Sequence, residues 1–330
     1  MSGRPSNTSS LQYPYPVNYL VGTFAKPLLV RYPDQLSSAG CNSTYSAMPA
    51  PQDVFALPDD TPRSSETIVN IAGILVHLYG VKELTAEQAK DTTVLFHAHG
   101  RTRSYRDSEA VAHQLLYTLL EKGHTKGLVV ATFDNRNHGI RKIDEVSIQS
   151  WTSGNPKQDM LSMVDGIAID IQTVMTYLES YVGDLFTPTQ FIASGVSLGG
   201  HVTWNLLGSD TRIQIGIPIV GCPDMTSLLI GRLGKYTSVV QVPEGTKEWP
   251  KPIEKLYASR DENISKIEGK NILVLNGALD TLVPDKFTKP WIEQYAAAND
   301  VTYVCQEENG HYLSWRMIDE ITEWLAPFLN

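Results

Sequence analysis

Gln190-Phe191-Ile192-Ala193-Ser194-Gly195-Val196-Ser197-Leu198-Gly199-Gly200-His201 joins an apolar run to a glycine-flanked serine. Gln190–Val196 is an apolar run that predicts a buried strand, and Leu198–Leu207 predicts the helix that follows it. Ser197 falls at the junction, inside a G-x-S-x-G sequence. Where a strand hands over to a helix, that pattern holds a serine at a sharp, strained turn with its hydroxyl exposed. Crowding at such a turn leaves little room for side chains two residues before and after the serine, which is the physical reason for Gly195 and Gly199. The serine itself is expected in a backbone conformation that is costly for a residue with a Cβ. Ser197 is therefore a candidate nucleophile. A serine hydroxyl is weak at its own pKa, so the reading requires a base and an acid elsewhere in the chain.

Both are present downstream. Asn271–Asn276 predicts a buried strand, and Asp280 lies in the loop beyond its carboxyl end, bracketed by Gly277 and Pro284. Open α/β sheets keep their ligands and chemistry at that edge. Val301–Cys305 predicts another short strand, followed by Glu308-Asn309-Gly310-His311 and a helix over 314–325. His311 is the candidate base and Asp280 the candidate acid that orients it. Asp224, just after the strand predicted over 212–220, is the rival acid; Asp280 is preferred for its bracketed loop.

Four segments carry a resemblance. They are His97-Ala98-His99-Gly100 after a strand, Asp134-Asn135-Arg136-Asn137-His138-Gly139, the serine turn extended to His201, and the Asp280 and His311 loops. On these the chain resembles an α/β-hydrolase-fold serine hydrolase, over roughly residues 68–329. The D-x-R-x-H-G loop, the G-x-S-L-G-G-H turn and Gly221-Cys222-Pro223-Asp224 together are similar to a group of fungal α/β-hydrolases. The resemblance implies a mostly parallel central sheet with helices on both faces and a small lid insertion. The chain order Ser197, Asp280, His311 is the order of that fold. It also implies an oxyanion hole of two backbone N–H groups, from Leu198 and from the loop after the Thr92–His97 strand, where Arg101 is the matching donor. The sequence departs here from a glycine-rich H-G-G-G loop, but a main-chain donor tolerates any side chain. Residues 222–270 are the expected lid or cap, with a helix and a long loop as the plainer alternative.

Several other polar residues need a role. Arg101 and Arg103 place cations near the pocket mouth and favour an acidic substrate, unless they point to solvent or pair with acids. His97 and His99 face the same side of a strand, but no third ligand with zinc-site spacing follows, so His99 is assigned with Gly100 to support of the hole. Asp134, Arg136 and His138 are expected to pin loops around the site, since ion-pair networks mimic active sites. His201 and Trp204 are expected to pack beside it, on the helix after Ser197.

The rest of the chain fits this frame. Its 330 residues suit one large domain, over 67–330, with an N-terminal extension of low periodicity over 1–66. Strands predicted over 67–80, 92–97 and 127–133 alternate with helices over 106–121 and 158–181. A helix over 286–298 falls between the last two strands. The net charge of −9 argues against nucleic acid as a partner, because binding it needs clustered Lys and Arg. Three cysteines, Cys41, Cys222 and Cys305, do not make a disulfide framework. No apolar leader and no 18-residue apolar run is present, so a cytoplasmic protein without a membrane span is expected. Sequons at Asn7, Asn42 and Asn263 are then chance matches, and the apolar segment 17–30 is expected to pack on a surface or a partner.

The function implied is hydrolysis of an ester, thioester or lactone of a small organic substrate through an acyl-enzyme, that of a carboxylic ester hydrolase. Acyl transfer, or a lyase or cyclase of secondary metabolism, uses the same site as the alternative. A peptidase stands behind these, because no site for a peptide terminus is recognisable. No cofactor and no metal is expected. The expected partner is a small-molecule substrate, and homodimer formation is left open.

Overall fold

The computed structural model describes residues 55–145, 148, 157–236 and 249–330, all in the unit Pro49–Asn330. The N-terminal extension before residue 55, the apolar segment 17–30, Cys41, and the sequons at Asn7 and Asn42 lie outside the described residues, as do residues 237–248 of the expected lid.

Eight strands form one sheet in the order β1-β2-β4-β3-β5-β6-β7-β8. They are β1 (Glu66–Ile71), β2 (Ile74–Tyr79), β3 (Thr92–Ala98), β4 (Gly127–Thr132), β5 (Pro188–Val196), β6 (Ile213–Ile219), β7 (Asn271–Gly277) and β8 (Asp300–Gln306). The pairs β1–β2 and β2–β4 are antiparallel and every other pair is parallel. The helices are α1 (Tyr105–Lys122), α2 (Lys157–Val182), α3 (Leu198–Ser209), α4 (Met225–Tyr236), α5 (Lys251–Ser265), α6 (Lys289–Tyr295) and α7 (Trp315–Leu325).

Side-chain alternation along the strands explains why both faces need helices. In β3, Val94 and Phe96 enter one apolar cluster and Leu95 the other; in β7, Ile272 and Val274 divide from Leu273 and Leu275 in the same way. The first cluster is completed by α2 to α6, the second by α1 and α7. Parallel strands covered on both faces read as continuous apolar runs, as β3, β4 and β7 do. The helix starts are set locally. Ser104 and Asp107 form a capping box on α1, and the Ser314 hydroxyl accepts from the Met317 N–H at the start of α7.

Two sequence expectations are corrected. Thr67–Gly80 is not one strand but the hairpin β1–β2, turned at Ala72 and Gly73 with φ of +52° and +82°. A two-residue turn with both φ positive matches the twist of a hairpin, but alanine at its first position hides the signal that asparagine or glycine would give. The helix expected over 286–298 is the shorter α6, flanked by single 3₁₀ turns at Asp285–Phe287 and Ala296–Ala298.

The segment between β6 and β7 carries α4 and α5. Tyr257, Arg260 and Ile264 are the buried side of α5, the crossover helix packed on α3. Among the described residues no helix is long and apolar enough to cross a membrane.

The tightest packing is around the turn between β5 and α3. A Cβ added to Gly199 would lie 2.0 Å from the Ala98 carbonyl oxygen, and one on Gly195 would lie 2.6 Å from the Gly199 carbonyl carbon. Both clashes are with backbone, which cannot swing away as a side chain can. Gly199→Ala is therefore expected to lower stability by about 3 kcal/mol or more, or to prevent folding, as read by urea unfolding against Gly123→Ala. Gly123 is the control because nothing lies within 4 Å of its added Cβ, and its φ of +71° makes its own cost one of backbone strain alone.

Candidate active site

Ser197 stands at the carboxyl edge of the sheet, between β5 and α3, with φ +58° and ψ −109°. That conformation costs on the order of 1–3 kcal/mol for a residue with a Cβ and persists only where neighbours fix it. Here the Ser197 N–H donates to the Ile219 carbonyl at 2.9 Å, and the Ser197 carbonyl accepts from His201 N–H at 3.0 Å. Glycines on both sides let β3 and β6 close in: Gly199 faces Ala98, and Gly200 faces Ile219 and Gly221.

The His311 ring lies between Ser197 and Asp280. Its Nε2 is 2.7 Å from Ser197 Oγ and its Nδ1 is 2.7 Å from Asp280 Oδ2. The second Asp280 oxygen, Oδ1, accepts from the Leu282 and Val283 N–H groups at 2.8 Å each. The Asp280 side chain is fully buried, whereas His311 keeps some exposure. A buried, doubly held carboxylate on Nδ1 fixes the ring with Nδ1 protonated and Nε2 ready to accept a proton from the serine. Asp224 is not part of this chain of bonds. Its carboxylate accepts from Ser227 N–H at 2.8 Å and caps α4.

The loops carrying Asp280 and His311 are stitched to each other. Leu279 N–H donates to the Asn309 carbonyl and Ala278 N–H to the Gln306 carbonyl, both at 2.9 Å. Asn309 Nδ2 donates to the carbonyls of Gly310 and Tyr312, on either side of His311. Gly277 makes room for this, since a Cβ there would lie 2.4 Å from the Asn309 carbonyl oxygen. Nothing in the local sequence marks these roles of Asn309 and Gly277, because each depends on the meeting of two loops.

The loop after β3 lies against the serine. A Cβ on Gly100 would be 3.6 Å from Ser197 Cβ, and the turn closes with Arg103 N–H on the Gly100 carbonyl at 3.3 Å. Arg101 is in this turn. Leu198 opens α3, so its N–H has no acceptor within the helix. His99 holds the loop from below: its Nδ1–H donates to the Gly100 carbonyl at 2.8 Å, and its Nε2 accepts from Asn135 N–H at 2.9 Å. Burial pushes the His99 imidazole down to about 3 and that of His97 down to about 4. His97 Nδ1 lies 3.1 Å from Ser194 Oγ. Among the described residues no group of His, Cys, Asp and Glu side chains is placed to hold a metal.

Asp134, Arg136 and His138 sit in the neighbouring loop after β4. The Asp134 carboxylate accepts from Tyr105 N–H at 2.9 Å and Ile140 N–H at 2.8 Å, which ties this loop to α1. Arg136 makes a two-pronged bond to Asp170 of α2 at 2.8 and 3.1 Å, and Arg141 joins the same carboxylate at 2.9 Å. Asp170 and Arg141 carry no signal in the local sequence. His138 donates from Nδ1 to the Arg136 carbonyl at 2.8 Å. Trp204 is away from the serine, fully buried against Trp291 at 4.7 Å between ring centres.

A pocket of about 330 Å³ opens at Ser197 and His311. Apolar wall comes from Phe55, Val111, Met160, Val283 and Leu313. Arg232, unnoticed in the sequence, reaches it from α4 and donates through Nε to the Leu282 carbonyl at 3.2 Å.

No protein-family model and no curated protein sequence matches the chain. Solved structures do match it in shape. TT1662 from Thermus thermophilus aligns with a TM-score of 0.59 at 20% identity, over 82% of this chain and 99% of that one. An esterase from Pyrococcus furiosus aligns with a TM-score of 0.52 at 16% identity, over 83% and 98%. The acylaminoacyl peptidase of Pyrococcus horikoshii aligns with a TM-score of 0.57 at 11% identity, over 80% of this chain and 42% of that one.

Asp280→Asn is expected to lower kcat on an ester substrate by about 10⁴, as loss of the ring-orienting carboxylate does in such triads. Asp224→Asn keeps a good helix cap and is expected to change kcat by less than about threefold. The buried imidazoles set an acid limit. With folded pKa values near 4 and 3 against 6.5 unfolded, His97 and His99 leave stability intact above pH 6.5. Between pH 6.5 and about 4 the unfolded chain binds their protons and the folded chain does not, so stability falls with pH. The urea midpoint should drop across that window, and His97→Phe should remove part of the drop, roughly 3 kcal/mol at most.

Together the mostly parallel eight-stranded sheet, the helices on both faces, the strand–serine–helix turn and these structural matches show that the chain has the α/β-hydrolase fold.

Proposed function

We propose that the protein is a serine hydrolase that cleaves an ester, thioester or lactone of a small organic substrate through an acyl-enzyme. The observation that carries this reading is His311, bonded at 2.7 Å to Ser197 Oγ on one side and to Asp280 on the other, at the floor of a pocket.

In this reading the Ser197 oxygen attacks the substrate carbonyl as His311 Nε2 takes its proton. The carbonyl carbon becomes tetrahedral, and its oxyanion is held by the N–H groups of Leu198 and Arg101. Collapse breaks the bond to the leaving group, which takes the proton back from His311 and departs as an alcohol or thiol. Water then attacks the acyl-enzyme, giving its proton to His311, and the acid leaves as Ser197 recovers its hydrogen. Asp280 stays ionised and stabilises the imidazolium formed in each half. His99, Asp134 and Arg136 act by holding the loops around the hole. The helix α4 serves as part of a lid at the pocket, a role supported by Arg232 at the pocket wall. The resemblance to fungal α/β-hydrolases belongs to the same reading, on the motifs alone.

A fluorophosphonate probe should label the wild-type protein and not Ser197→Ala. On a panel of p-nitrophenyl esters, thioesters and lactones, Ser197→Ala should lower kcat by roughly 10⁴ or more. A folded wild-type protein that takes no label would remove the serine-hydrolase reading.

A further inference from the structure

The stretch of chain that precedes β1 reaches the pocket. Phe55 lines it, although this residue lies upstream of the strand that opens the sheet. The Phe55 ring is buried and packs on the Trp315 indole, with 4.5 Å between ring centres and 52° between planes. Trp315 begins α7, just after the loop that carries His311. Leu57 packs against the same apolar cluster but is not among the described residues that line the pocket. The far end of the stretch is tied down by hydrogen bonds. Ser64 N–H donates to the buried His113 Nδ1 of α1 at 3.0 Å, and Ser65 N–H donates to the Glu83 carboxylate at 2.7 Å. The Ser65 carbonyl accepts from Gly80 N–H at 3.0 Å. An aromatic contact at one end and these bonds at the other hold Phe55 against the site.

Phe55, Val111 and Leu313 form the apolar wall on the face of the sheet covered by α1 and α7. Val111 comes from α1, and Leu313 from the loop that also carries His311. The sheet fixes the first of these, and the position of the base fixes the second. Phe55 is carried by residues 55–65, which lie in no strand or helix. Its side chain therefore sets the depth of this wall without a constraint from the catalytic loops. With Trp315 packed on the ring, a substrate chain directed to this side meets a close-packed aromatic wall. Each methylene buried before that wall is favourable, whereas one pushed into it must displace a packed ring.

Resting on the serine-hydrolase reading, we propose that Phe55 is a specificity-determining residue. Its ring ends the pocket on the side of α1 and α7 and sets the length of the apolar chain, acyl or alkoxy, that an ester places there.

The test measures kcat/KM of the full chain on two ester series. One is straight-chain p-nitrophenyl esters from acetate to dodecanoate, and the other is alkyl acetates from methyl to octyl, followed by acid release. In one series the wild type should pass through a maximum and then decline, and that series identifies whether the acyl or the alkoxy chain meets Phe55. Phe55→Ala should move the maximum to a longer chain. With each accommodated methylene contributing roughly fourfold, it should raise the long-to-short ratio of kcat/KM by about tenfold or more. Phe55→Leu should give a smaller shift in the same direction, and Phe55→Trp should move the maximum to a shorter chain. Leu57→Ala, in the same stretch and cluster, should leave the ratio unchanged. Because the ratio is internal to each protein, partial loss of folded enzyme does not mimic the effect. A wild type with no decline in either series overturns the proposal, as do maxima that no Phe55 variant moves. A shift as large in Leu57→Ala also overturns it, since general loosening then explains the change. Fluorophosphonate labelling separates the two readings: labelled wild type with unmoved maxima overturns this inference alone, and unlabelled folded wild type overturns both.

Discussion

The carboxyl edge of the sheet depends on a backbone contact that no side chain could survive. Where β5 turns into α3, Gly199 faces the Ala98 carbonyl so closely that an added Cβ would lie 2.0 Å from it. Gly195 and Gly200 extend the same close approach toward α3 and β6. This lets Ser197 stand between three strands in a conformation with φ of +58°, held by main-chain bonds at its N–H and its carbonyl. The strain is local and its support is distributed, which is how a rigid scaffold keeps a side chain aimed outward from a crowded turn.

A second consequence of that crowding is electrostatic. The groups beneath the serine, His97, His99 and His201, are buried and kept neutral, so they serve as hydrogen-bonding struts and not as titrating bases. His311 is the partly exposed imidazole that meets both a hydroxyl and a carboxylate. Burial thus sorts the histidines that line the pocket: His97, His99 and His201 bond to the surrounding strands and loops, and the partly exposed His311 contacts the serine. The arginines at the pocket come from two other elements, Arg101 and Arg103 from the loop after β3 and Arg232 from α4.

Much of this was legible in the residues because it is local. G-x-S-x-G after an apolar run marks its own turn, and Asp280 and His311 follow strands whose apolar runs are unmistakable. The hairpin at Ala72–Gly73 was missed because alanine takes a positive φ there against its own preference. Asp170 was missed because its partners Arg136 and Arg141 lie far away in sequence and in a loop after β4. Asn309 and Gly277 stood in view, but their roles exist only where two loops meet.

Side-chain periodicity and glycines at fixed spacing are local properties, and they already mark the alternation of strands and helices and the position of the serine turn in the residues alone. Packing in three dimensions brings Asp280, the acid preferred from its loop, and not Asp224 to His311, and it brings Arg232 to the pocket that Arg101 and Arg103 line. The reason is that a carboxylate's reach to an imidazole, or a guanidinium's to a cavity, is fixed by how separate loops and helices pack, and no local pattern of residues encodes that distance.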